Sequence, residues 1–157
     1  MSTIGTIDQC AITERVDGTV DWIAKAAIDC DGSDNRHNDP CWQADTSLHH
    51  DGKPIDAETV PGIVVPPLVI QSVKGIVLGC QAWVRNLRTG QETAAVVFDI
   101  GPRRKIGEMS CECARRIGLD GNPNHGGTDE RIVEYRIQPG KAAVVDGVTY
   151  DLQPFHG

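Results

Sequence analysis

Two acids nine positions apart, Asp99 and Glu108, are the residues whose type and surroundings most readily do chemistry. Asp99 follows the apolar run Ala94-Ala-Val-Val-Phe98 and precedes Gly101 and Pro102, so it is expected at the end of a buried strand where the chain turns sharply. Glu108 comes just ahead of a helical pattern, so the intervening loop can fold back and set both carboxyls across one cleft. Such a pair can divide the hydrolysis of a glycosidic bond. One protonated acid gives its proton to the leaving oxygen, while the other activates water or attacks the sugar. Spacing alone does not establish the site, because an Asp at a turn and a Glu opening a helix are ordinary structural devices.

The elements that must position these acids read as mainly β. From Gly62 onward, apolar β-branched runs predict strands over 63–65, 68–70, 76–78, 82–84 and 93–98. Arg88-Thr-Gly90-Gln91 and Asp146-Gly147 supply the turns of two hairpins, the second joining 142–145 to 148–150. The exception is 110–117, where Met109, Cys113, Ala114 and Ile117 share one helical face, Ser110 can cap the start and Gly118 can end it. Residues 29–61 are dense in Asp, Asn, Gly, His and Pro, and predict a long loop region pinned by cysteines. No repeat or linker divides the chain, so 1–157 is expected to form a single catalytic domain, with 1–20 peripheral or loosely ordered.

With 39% apolar and 24% charged residues, the composition argues against both disorder and a membrane protein. The formal charge of −7 has the wrong sign for broad attraction to nucleic acid or anionic lipid and favours a cationic partner. The N-terminus has neither the basic start nor the apolar stretch of a secretory signal, yet six cysteines are many for a reduced compartment. Pairing of Cys30 with another loop cysteine such as Cys41 is expected, among 15 conceivable connectivities for six cysteines.

Ala27-Ile-Asp29-Cys30-Asp31-Gly32, Cys41 with Gln43-Ala-Asp45-Thr46-Ser47-Leu48, Val60-Pro61 through Val64-Val65-Pro66, Phe98-Asp99-Ile-Gly101-Pro102 with Gly107-Glu108-Met-Ser110, and Gly126-Gly127 follow one another in order. Together they resemble the chitosanases of glycoside hydrolase family 75 over most of the chain. The stretch 97–119 is also similar to the Asp-Arg-Gly-Pro block and following helix of rare-lipoprotein-A-type lytic transglycosylases.

Both resemblances imply a double-psi β-barrel core, with one short helix after the catalytic loop. The first implies an endo-acting, inverting hydrolase of β-1,4-linked chitosan, without a cofactor, in which Asp99 and Glu108 are the catalytic pair. By analogy, Asp99 would be the desolvated general acid and Glu108, in a more open loop beside Arg103, Arg104 and Lys105, the ionised base. Asp29, Asp31, Asp45, Thr46 and Ser47 are the implied substrate contacts, and His125 is expected to border the cleft. Asp39 and Asp51 carry the same sign, and Trp42 and Trp83 could stack on sugar rings or belong to the core. The implied setting is extracellular, the partner a cationic polysaccharide rather than nucleic acid or membrane, and the state a monomer.

Two other readings use the same residues. A peptidoglycan-cleaving enzyme would apply both carboxyls to a less cationic glycan, and a non-catalytic carbohydrate-binding barrel would keep Asp99 without turnover. A metal site could be imagined from Cys30, His37, Cys41, His49 and His50, but these lack Cys-x-x-Cys or His-x-x-x-His spacing, so no metal is expected.

Overall fold

The computed structural model describes residues 1–33 and 39–154, so His37 falls outside the described residues. In chain order the elements are β1 (Ser2–Ile7), β2 (Cys10–Glu14), β3 (Val20–Asp29), β4 (His49–His50), β5 (Lys53–Pro54), β6 (Gly62–Val65), α1 (Pro67–Ser72), β7 (Cys80–Asn86), β8 (Glu92–Ile100), β9 (Glu108–Ser110), α2 (Cys111–Arg116), β10 (Thr128–Ala142), β11 (Val144–Val145) and β12 (Val148–Thr149). Six of these close into a barrel in the order β3-β10-β7-β8-β6-β9, with β9 returning to β3. Two parallel pairs, β3 with β9 and β6 with β8, are set among antiparallel ones. The mainly β barrel expected from sequence, with a short helix behind Glu108 and a cysteine-containing loop region, is the architecture observed.

Alternation builds the barrel wall. Val20, Trp22, Ala24 and Ala26 of β3 are buried, as are Val133, Tyr135 and Ile137 of β10 and Cys80, Ala82 and Val84 of β7. Register then places Trp22 beside Tyr135, whose rings stack with centroids 5.7 Å apart. The helix α2 starts where Ser110 Oγ accepts the Cys113 N–H at 3.1 Å, and Gly118 leaves it at a φ of +81°. Both predicted hairpins are present, β7 with β8 and β11 with β12.

Two expectations are corrected. Residues 68–70 lie in α1 rather than a strand, because Pro66 and Pro67 end β6 and preset a helical first turn. Residues 76–78 form no strand, and Leu78 contributes only an isolated bridge to Gln153. Residues 2–14 form the β1–β2 hairpin, extending the sheet beyond the edge of β3 and burying Ile7, Cys10 and Ile12.

The cysteine pairing also differs. Cys30 is bonded to Cys111, with Cα atoms 5.6 Å apart, while Cys41 is an exposed free thiol. Pairing of Asp29 with Ser110 across β3 and β9 explains the choice, since it carries the next residue of each chain segment into opposition. The bridge spans 81 residues and fastens the seam at which the barrel closes. Cys10, Cys80 and Cys113 are buried thiols. A thiol reagent should therefore titrate Cys41 alone in the native protein, four thiols after unfolding and all six after reduction. Reduction should cost about 2–5 kcal/mol of stability, read from denaturant midpoints with and without reductant.

Candidate active site

β6 is a four-residue strand paired on both sides. Val64 lies opposite Asp99 of β8 on one flank and opposite Glu108 of β9 on the other. Residues directly opposite one another in a sheet project to the same face. Asp99, Val64 and Glu108 therefore form one row across three strands. Glu108 does not sit in an open loop, as expected, but opens the barrel strand β9, where it also pairs with Ala27 of β3.

A bulge sets the row. Ile63 pairs with Val97 but Val64 pairs with Asp99, so Phe98 is the extra residue on β8. Gly62 accommodates it, because a Cβ there would come within 2.5 Å of the Phe98 ring. The Phe98 carbonyl accepts the Leu48 N–H at 3.0 Å, which docks the preceding loop against β8. Ser47 then gives Asp99 Oδ1 two hydrogen bonds, from Oγ at 2.7 Å and from its N–H at 3.2 Å. The Ile100 N–H supplies a third at 3.0 Å. On the other flank, Gly107 takes a φ of +93° and accepts the Ala27 N–H at 2.8 Å, delivering Glu108 into register.

Asp29 and Asp31 reach the same cleft from the end of β3. The Asp31 N–H donates to Asp29 Oδ1, and the Gln43 N–H donates to Asp31 Oδ1, each at 2.8 Å. The cleft has a volume of about 290 Å³, and its lining includes Asp29, Asp31, Asp39, Asp99, Glu108 and a single cationic side chain among the described residues, Lys105. Carboxylate oxygens of Asp29, Asp31 and Asp99 lie within 4.8 Å of one another.

Packing these acids together retains protons. Desolvation pushes Asp99 up, but the three hydrogen bonds on Oδ1 oppose it. Desolvation also pushes Glu108 up, helped by the Asp99 charge and opposed by Lys105 and Lys25. Asp29 is displaced furthest, to about 8, by desolvation and then by Asp31, with Asp99 and Glu108 adding to the effect. Asp31 is raised by desolvation and by Asp99, while hydrogen bonds from Gln43 and from the Asp29 carboxyl hold it back. Asp99 is thus the charge around which its neighbours keep protons, which makes it the better-supported anion of the pair.

The other sequence candidates are placed as follows. Ser47 holds Asp99, whereas Thr46 is buried, with its hydroxyl donating to the Leu48 carbonyl and accepting from the Ile55 N–H. Asp45 is exposed and lies 2.6 Å from His49 Nε2. His125 is exposed, with Nδ1 3.2 Å from Asp120, and is not among the residues lining the cleft. Asp51 turns the β4–β5 hairpin at a positive φ. Trp42 lines a neighbouring recess with Lys53 and Asp56, and Trp83 lies on β7 with Lys141 Nζ 5.6 Å from its ring centroid. Sequence reasoning did not single out Val64 as the divider of the row, or Gln153. Compared with known proteins, the chain matches no family model and no curated protein.

Burial of the acids sets the pH dependence of stability. Asp29 keeps its proton to about pH 8 in the folded chain but has an ordinary value of 3.8. The folded state therefore binds more protons between those values, and the contribution of this group to stability falls as pH rises through that window. Asp29→Asn keeps an acceptor for the Asp31 N–H without the charge. Relative to wild type it should raise the melting temperature at pH 8 and change it little at pH 4, measured by calorimetry.

Proposed function

We propose that the protein is an endo-acting glycoside hydrolase that cleaves β-1,4 linkages of chitosan with inversion, using Asp99 and Glu108. The observation that carries this reading is the Asp99–Val64–Glu108 row, set in a cleft with Asp29 and Asp31 and a single lining lysine among the described residues. The ordered blocks shared with family 75 chitosanases support it independently of the geometry. Two strand spacings separate the two backbones by about 9–10 Å. That separation suits carboxyls roughly 6.5–9.5 Å apart with a nucleophilic water between them.

In this mechanism Asp99 is the base and Glu108 the acid, the reverse of the assignment by analogy. Asp99 Oδ1 is held by three donors, leaving the other oxygen to take a proton from water. Desolvated Glu108 gives its proton to the glycosidic oxygen as the bond to the anomeric carbon breaks, and the water oxygen bonds to that carbon from the opposite face. Asp29 and Asp31, both raised by desolvation, would accept charge-assisted hydrogen bonds from a substrate ammonium, with the proton held by Asp29 released to solvent. A polycation fits this arrangement better than peptidoglycan, because each bound ammonium relieves repulsion among the acids. The disulfide supports an oxidising, extracellular setting.

Chitosan and purified cell walls, assayed side by side for new reducing ends, test the substrate. Chitosan should be cleaved and should yield the α-anomer first by NMR. Preferential release from cell walls would favour the peptidoglycan reading, and binding without product would favour a non-catalytic barrel. Asp99→Asn and Glu108→Gln should each lower turnover by about 10²–10⁴-fold. Glu108→Gln alone should recover on a glycoside with an activated leaving group, since only the acid's task is then dispensable.

A further inference from the structure

The structure assigns to Gln153, in the C-terminal segment and outside the cleft lining, the role of a positioning residue that holds the Ser47 loop on Asp99. The inference rests on the reading of Asp99 as a reacting group. Gln153 Nε2 donates to the Ser47 carbonyl, and Gln153 Oε1 accepts the His49 N–H, each at 3.2 Å. The orientation of the amide is fixed by its partners, because a carbonyl can only accept and a peptide N–H can only donate. One side chain thus grips the peptide groups on both sides of Leu48, whose own N–H is held by the Phe98 carbonyl at the bulge.

The grip is anchored at its base. The Gln153 N–H donates to the Leu78 carbonyl at 2.8 Å, in the isolated bridge that ties the C-terminal segment to the turn before β7. From this bridge a continuous series of hydrogen bonds runs through Gln153 and Ser47 to Asp99 Oδ1. Ser47 is committed on every side: its N–H and hydroxyl face Asp99, and its carbonyl faces Gln153. Releasing the carbonyl removes one of the two restraints on the Ser47–Leu48 peptide and so loosens the residue that supplies two of the three donors on Asp99. Other charged groups acting around Asp99 come from the loop (Asp45, with His49 against it), from the end of β3 (Asp29 and Asp31), from β9 (Glu108) and from the loop before β9 (Lys105). All of them remain in the variants below.

Gln153→Met keeps the length of the side chain and the backbone bridge but removes both hydrogen bonds of the side-chain amide, and Gln153→Ala provides a second variant. The direct readout is the titration of the Asp99 carboxyl, followed by carbon-13 NMR in folded protein without substrate. Loss of stabilising donors raises a carboxyl's pKa. Both Gln153 variants should therefore move the Asp99 midpoint upward, as Ser47→Ala should; because Ser47→Ala removes the hydroxyl but keeps the backbone N–H that Gln153 also positions, Ser47→Ala with Gln153→Met should move it further than Ser47→Ala alone but by less than the sum of the two single shifts. On chitosan, Gln153→Met should lower kcat about 10-fold, with KM changed less than about 2-fold, because orientation rather than binding is lost.

An Asp99 titration unchanged in both folded Gln153 variants, while Ser47→Ala shifts it, would overturn the inference. The titration needs no substrate. Inactivity of the wild-type chain on both polymers would therefore overturn the proposed function and leave the Gln153 assignment to be decided by Asp99 alone.

Discussion

β6 has hydrogen-bonded neighbours on both flanks, parallel to β8 and antiparallel to β9, and everything at the candidate site depends on that double pairing. A strand of four residues contributes little by itself. Its burial and its two partners fix its register, and Val64 thereby sets the relation between Asp99 and Glu108. The Phe98 bulge is part of the same constraint. Without it, the residue opposite Val64 would be a phenylalanine, and Asp99 would face the other way along the pleat. Gly62 is needed for the same reason, because its missing side chain is the space that the Phe98 ring occupies.

The second organising fact is electrostatic. Four acids with raised pKa values share one small cleft, and desolvation is the leading cause for each of them. A fold selected for stability alone would seldom assemble such a group, since an unneutralised buried carboxyl is among the costlier things a protein can contain. The barrel bears this cost with the Cys30–Cys111 bridge beside it and a different compensation for each acid of the row: hydrogen bonds for Asp99, and lysine charge for Glu108. The two acids of the row are therefore unlike each other in environment although they are symmetric about Val64.

Much of this was legible in the sequence, and the exceptions have physical causes. Asp99 was visible because five apolar residues precede it and Gly101-Pro102 follows, a pattern whose local meaning needs no tertiary information. The helix α2 was visible through its cap, face and terminating glycine. The run at 68–70 was misread as a strand because three apolar residues fit either period, and the decisive signal was the pair of prolines before it. Cys111 was not chosen as the partner of Cys30 because proximity in sequence favours Cys41, whereas the register of β3 on β9, a long-range fact, favours Cys111. The proposed roles of the two acids reverse those implied by analogy for the same reason. Strand burial was inferred for Asp99, but the donors from Ser47 and the strand position of Glu108 are tertiary properties.

The position of the disulfide has one more consequence. The β3–β9 pairing, three residues long, is one of the pairings that close the barrel. Cys30 and Cys111 lie immediately beyond that pairing, so the seam cannot part at this end while the bond survives. Fluctuations that would admit a protease to the barrel's interior, or flood the cleft with bulk water, must then begin elsewhere. The bridge acts less as a cross-link between distant loops than as a rivet at one end of the β3–β9 pairing, next to the strand ends that carry the carboxyl cluster.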